Sequence, residues 1–303
     1  MDTAREVARS NTLKAIGFML ISTMAAAIMN STARHVTETV HPFELVFFRN
    51  LFAMCFVVPM MWKVGFAVFR TQRPWMHVSR AGLNTVNMLV WFTAISLAPL
   101  ADVVALGFTA PIFTTLLGIF ILREVVGLRR WTAIFVGFAG TMIVLQPGFD
   151  TVSTGHGLTI VAAMLWAGVL LIIKSLSRTE SSLTIVAYMS VLMTPMSLIP
   201  ALFVWVWPTW TELAWLALIG VLGGVGQYFL AQSLHEADIS AVMPFDFAKL
   251  IWISVIAYFA FSETPDLATW IGGLIIFVSG LYIARREAML SRARTKPSPS
   301  VQP

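Results

Sequence analysis

Three ionisable residues stand inside stretches otherwise apolar enough to cross a bilayer: Arg49, Asp246 and Lys249. A charge at the centre of a membrane helix costs roughly 2.5–3.5 kcal/mol on insertion scales, so such residues pair with one another or face a cavity. Asp246 and Lys249 are three apart and therefore neighbours on one helical face. Their plainest role is an ion pair that lets the helix insert. In a site, Lys249 would receive a carboxylate or phosphate, while Asp246 would receive a cation or take up a proton and couple transport to a gradient. Arg49 lies close to the outer end of its stretch. It either snorkels to the headgroups or holds an anion or Asp246.

A second group is polar without charge. Asn84, Asn87 and Trp91 follow a three-four spacing, which is one stripe of a helix, and Gln227 and Tyr228 stand at the matching level later in the chain. Such amides either bind a ligand or hydrogen-bond one helix to another. Trp91, Tyr228, Trp166 and Trp252 offer ring faces to an aromatic or cationic ligand, and Asn30 is within reach of the same region. Pro111 and Pro244 are candidate hinges, because a proline inside a helix frees a carbonyl and permits a bend. Gly220, Gly223, Gly224 and Gly226, with Gly137 and Gly140, suit close helix contacts instead. No catalytic constellation accompanies these residues: His-Glu-x-x-His, Gly-x-Ser-x-Gly and the phosphate-binding Gly-Lys loop are all missing. The five histidines scatter, and Cys55 is the one cysteine, so no metal site, disulfide or resident cofactor is expected.

The elements that must position these residues are membrane helices. Apolar residues make up 58% of the 303-residue chain and charged residues only 12%, about half the usual share of a soluble domain. Ten stretches near the length that spans a bilayer run approximately over 13–33, 44–62, 79–98, 101–122, 130–146, 156–174, 183–206, 212–234, 238–260 and 267–284. The first resembles a signal peptide, but nine further spans favour an uncleaved helix. With the N-terminus inside, every Lys and Arg except Arg34, Arg49 and Lys249 falls on the cytoplasmic side, Arg80 among them in the first inner loop with Lys63, Arg70 and Arg73. The net charge of +5 is therefore a topology signal, and no nucleic-acid partner is expected. Residues 1–12 read as a cytoplasmic segment and 285–303 as a basic, disordered cytoplasmic tail. Tryptophans such as Trp62, Trp75, Trp207 and Trp210 cluster at span ends, where the ring suits the headgroup layer.

Sliding the chain on itself by about 136–140 residues aligns an ordered series of features. Trp91-Phe92-Thr93-Ala94-Ile95-Ser96-Leu97 meets Tyr228-Phe229-Leu230-Ala231-Gln232-Ser233-Leu234, and Ala101-Asp102, Glu124, Trp131 and Gly140 meet Ala237-Asp238, Glu263, Trp270 and Gly280. The repeats are 13–147 and 156–284. Each holds five spans, and an odd number of crossings inverts the second relative to the first. Inverted repeats are the plan of secondary transporters, whose site lies between the repeats.

The five-plus-five plan, the acidic residue closing the fourth and ninth spans (Glu124 and Glu263) and the Phe48-Arg49-Asn50-Leu51-Phe52-Ala53 stretch resemble the drug/metabolite transporter superfamily, EamA type. The resemblance implies a cavity lined mainly by the third, fourth, eighth and ninth spans, with the fifth and tenth peripheral. It also implies a role for an arginine at the place of Arg49. One departure is that residues 13–33 contain no acidic residue, so the proton-coupling glutamate of the small multidrug members has no counterpart.

The expectation is an all-α, ten-helix integral protein of the bacterial inner membrane with both termini cytoplasmic. It would be a secondary active or facilitative transporter of a small organic metabolite, amino-acid-like or nucleoside- or cofactor-like, zwitterionic or anionic, working by alternating access. A broad-specificity efflux pump is the alternative, and a channel or an intramembrane enzyme are rivals from other classes. A proton or an exchanged ligand would be the coupling partner, and the sequence is compatible with a monomer or a dimer.

Overall fold

The computed structural model describes residues 2–110, 112, 113, 116, 117, 128–145, 153–237, 242, 245, 246, 248–261 and 266–294. Pro111, Pro244, Glu124, Glu263 and Asp238 lie outside the described residues. Among those described there are ten α-helices: α1 Asp2–Val36, α2 Pro42–Val64, α3 Pro74–Leu97, α4 Leu100–Gly107, α5 Leu128–Leu145, α6 Thr154–Leu176, α7 Ser182–Leu202, α8 Trp210–Glu236, α9 Ala248–Phe261 and α10 Leu267–Arg294. Segments of α1, α2, α6, α7 and α8 are long and apolar enough to cross a membrane.

Local chemistry sets the helix starts. Pro42 opens α2 and Pro74 opens α3, where a missing N–H costs nothing. Ser181 accepts a hydrogen bond from the Thr184 N–H at the start of α7, and Thr209 with Glu212 closes a reciprocal capping box on α8. Gly65, at φ +72°, ends α2 in the left-handed region that favours glycine. Helix α10 continues to Arg294, because residues 285–294 contain no Gly or Pro to stop it.

Packing has the symmetry that two inverted repeats require. If each helix of the first half is matched to the one five places later, α1 on α8 has its twin in α6 on α3, α2 on α8 in α7 on α3, and α1 on α9 in α6 on α4. Three pairs, α2 with α7, α4 with α9 and α5 with α10, cross the pseudo-axis and map onto themselves. Helices α5 and α10 pack closely on each other at Gly140, where an added Cβ would come 2.9 Å from the Gly272 carbonyl oxygen. Phe135, Phe138, Leu274 and Val278 on these two helices are exposed, as a lipid-facing surface must be.

The helix ends sort onto two faces as successive crossings demand. On one face Glu44 Oε1 accepts from the Val206 N–H at 2.6 Å, and Asp102 accepts from Thr269 Oγ1 at 2.7 Å. On the other, Thr71 Oγ1 donates to Glu180 Oε1 at 2.7 Å and Arg73 to Ser175 Oγ at 3.3 Å. Trp62, Trp75, Trp207 and Trp210 are largely exposed at these ends, in keeping with an aromatic belt.

Candidate functional site

Middle turns of α1, α6 and α8, together with α2 and the start of α9, enclose a cavity of about 80 Å³ between the two repeats. Its polar wall consists of Ser22, Arg49, Gln227, Asp246 and Lys249, and Trp166 closes one side. All three charges singled out from the sequence therefore face one space.

Lys249 Nζ stands 3.0 Å from Asp246 Oδ1 and 5.8 Å from the centre of the Phe108 ring, within cation–π range. The ion pair and the cavity lining are thus one feature, and each side chain keeps about a fifth of its surface exposed. Arg49 is only 1% exposed and turns into the bundle, away from the headgroups. Its Nη1 donates to Asn50 Oδ1 at 2.9 Å, and Asn50 Nδ2 donates to Ser197 Oγ at 3.3 Å. Among the described residues Arg49 Nε has no partner. Gly223 leaves room for the guanidinium where α8 passes it: a Cβ there would stand 2.6 Å from Arg49 Nε, and one of the two would have to shift. Helix α8 also meets α1 beside the cavity, where Ser22 Oγ donates to the Gly226 carbonyl at 2.8 Å.

Arg80 corrects the sequence reading, which placed it in an inner loop. Helix α3 begins at Pro74, which puts Arg80 nearly two turns inside, and the side chain is 2% exposed. Its Nη1 donates to the Ile185 carbonyl at 3.1 Å, and its Nη2 reaches Met189 Sδ at 3.6 Å and Gln227 Oε1 at 3.5 Å. Gln227 therefore links a buried arginine on one side to the cavity on the other. The available signal was spacing: residues 77, 80, 84, 87 and 91 continue one three-four stripe. His77, also buried, stacks on Tyr188 with ring centres 4.2 Å apart.

The remaining expected site residues lie along this stripe or outside the cavity. Asn84 Nδ2 donates to Met193 Sδ at 3.4 Å, and Asn87 Nδ2 makes a long contact of 3.5 Å to Asn84 Oδ1 while its own Oδ1 is buried without a partner. Trp91 Nε1 donates to Asn30 Oδ1 at 3.2 Å. Tyr228 does not line the cavity; its hydroxyl accepts from Gln232 Nε2 at 2.9 Å and its ring packs edge-on against Phe56. Trp252 is half-buried, and its Nε1 is unpartnered. Among the described residues no three His, Cys, Asp or Glu side chains converge as metal ligands would.

Sequence comparison finds similarity to transporters over nearly the whole chain. The model of the EamA-like transporter family matches residues 13–146 and 153–285. An S-adenosylmethionine uptake transporter of Rickettsia bellii is 29% identical, covering 90% of this chain and 94% of its own length. A riboflavin transporter of Rhizobium johnstonii is 33% identical over 91% and 92%, and a pseudopaline exporter of Pseudomonas aeruginosa 24% identical over 88% and 95%. A solved structure aligns with a TM-score of 0.63 at 19% identity, covering 95% of this chain and 99% of that one, a likeness of fold alone.

Proposed function

The chain belongs to the EamA-like transporter family, a multi-pass membrane protein that moves metabolites, and from that premise we propose that it carries a small zwitterionic or anionic metabolite with a flat ring by alternating access. The observation that carries this reading is the cavity between the repeats, with Arg49, Asp246 and Lys249 in its wall and Trp166 beside them. Charged groups provide orientation and the indole provides a stacking face. The named cargo of two relatives, S-adenosylmethionine and riboflavin, each contain a heteroaromatic ring, which supports that half of the description. At about 80 Å³ the cavity is well below the ~300–1,000 Å³ of a typical ligand site, so on this reading the helices part further to admit cargo. In the cell we place the protein in the bacterial inner membrane with both termini cytoplasmic.

Reconstitution into proteoliposomes tests the proposal. Labelled S-adenosylmethionine, riboflavin, amino acids and nucleosides are offered with and without a proton gradient. At least one should accumulate or exchange, and Lys249→Ala or Asp246→Asn should abolish it while the protein remains folded. Transport unchanged in both variants would remove the site. An exporter among the relatives favours a second direction of net flow, and inside-out vesicles distinguish the two.

A further inference from the structure

Buried charges are normally paired, because an unpaired one forfeits its hydration without return. Lys249 meets this rule through Asp246. Among the described residues Arg49 and Arg80 do not: each is almost wholly buried, and their hydrogen bonds there go to Asn50, the Ile185 carbonyl, Met189 and Gln227, all neutral. The Nε of each guanidinium is unpartnered. The two arginines meet the same stretch of α8, Arg49 at Gly223 and Arg80 at Gln227 one turn further on, and Gln227 stands at the cavity edge with its carbonyl oxygen on Arg80. That contact is long, as is the one to Met189, so both would yield to a stronger acceptor.

We propose that Arg49 and Arg80 form an oxyanion-binding pair that receives a carboxylate or phosphate group of the cargo, with the amide oxygen of Gln227 holding the place of that oxyanion when the site is empty. Lys249 is already engaged by Asp246, so among the described residues at this place the guanidiniums are the cations left to meet the anion. Each presents a planar fork of N–H donors matched to an oxyanion. The charge balance of the buried groups then selects cargo with net negative charge at this end, and Arg80 is a specificity-determining residue. The proposal takes the occupant to be cargo from the carrier reading above, while the binding itself can be measured without transport.

The test uses the full-length purified protein with sodium phosphate and sodium succinate as probes, against sodium chloride at matched ionic strength. Thermal melting and tryptophan fluorescence, to which Trp166 in the cavity wall contributes, give the affinities. At least one oxyanion should bind saturably, and Arg80→Gln and Arg49→Gln should each weaken it about tenfold or more, as expected for losing a charge-assisted contact. Arg80→Lys keeps the buried charge and so guards against simple unfolding; it should bind severalfold more weakly because the fork is gone. The proposal is overturned if neither anion binds the unaltered protein saturably, or if Arg80→Lys binds as tightly as arginine does. Uptake failing for every metabolite while Arg80-dependent anion binding persists would remove the carrier reading and leave the pair. Intact uptake with anion affinity indifferent to Arg80 would remove the pair alone.

Discussion

Replacing Gly223 by alanine adds one methyl group where α8 crosses Arg49. The new carbon would stand 2.6 Å from Nε, 2.7 Å from Nη2 and 2.8 Å from Cζ of the guanidinium, about 1 Å inside ordinary van der Waals contact. Either α8 retreats or the arginine moves. The helix has little slack, because a Cβ on neighbouring Gly220 would already collide with Phe52 and approach the Arg49 carbonyl oxygen to 2.9 Å. The arginine side chain is the flexible partner, and the cavity beside it is the available space. Moving it breaks the 2.9 Å bond from Nη1 to Asn50 Oδ1. A hydrogen bond to a charged group is worth about 1.5–3 kcal/mol, or roughly a 10- to 150-fold change in an equilibrium constant. The displaced guanidinium also fills the space meant for cargo. Gly223→Ala should therefore melt at a lower temperature in detergent and take up cargo into proteoliposomes at least about tenfold more weakly. Gly82→Ala is the control, since no atom lies within 4 Å of its Cβ position; it should melt as before or slightly higher, by about 0.5–1 kcal/mol. Gly223→Ala with unaltered melting and uptake would refute the claim that glycine is there to make room for Arg49.

Three further outcomes are expected. Asp102→Ala removes the acceptor for Thr269 Oγ1 at 2.7 Å and a contact with His156 Nε2 at 3.4 Å. It unties the ends of α4, α6 and α10 and should lower stability by about 1.5–3 kcal/mol, read by thermal melting; no change would mean the contacts carry nothing. A double-mutant cycle on Asp246→Ala and Lys249→Ala should give a coupling of about 0.5–3 kcal/mol, and strict additivity of the two losses would show that the 3.0 Å pair is not energetically joined. Gly140→Ala crowds Ile275 and Ile276 at 2.9 Å each and should cost about 1–3 kcal/mol by overpacking, yet leave uptake per folded molecule intact because α5 and α10 lie away from the cavity. Lost uptake by properly folded protein would show that these helices take part in transport.

Arg49, Asp246 and Lys249 were legible because a charge in an apolar run stands out with no knowledge of its neighbours, and the structure gathers all three around one cavity. Asn84, Asn87 and Trp91 were legible as a stripe, but a stripe does not say what it faces. The structure sets Asn84 against Met193 and Trp91 against Asn30, while Tyr228, adjacent to Gln227 in sequence, points elsewhere. Arg80 was misread because loop and helix differ there by a single turn, and the position-based rule for inner-face basic residues absorbed it. Ser22 and Ser197 gave no signal at all, and Asn50 stood out only as a member of the Phe48–Ala53 stretch, since a lone serine or asparagine in a membrane helix is as common in packing as in binding.

The sequence by itself determined the solvent, the helical class and the five-plus-five repeat, because hydropathy, capping and internal similarity are sums over neighbouring residues. Tertiary structure decided which charges are paired and which are not. Whether Lys249 is free, whether Arg80 is buried and whether glycine is needed at 223 all depend on groups brought together from helices far apart in the chain. Electrostatic interaction and close packing act over a few ångströms of space, and distance along the chain does not measure that.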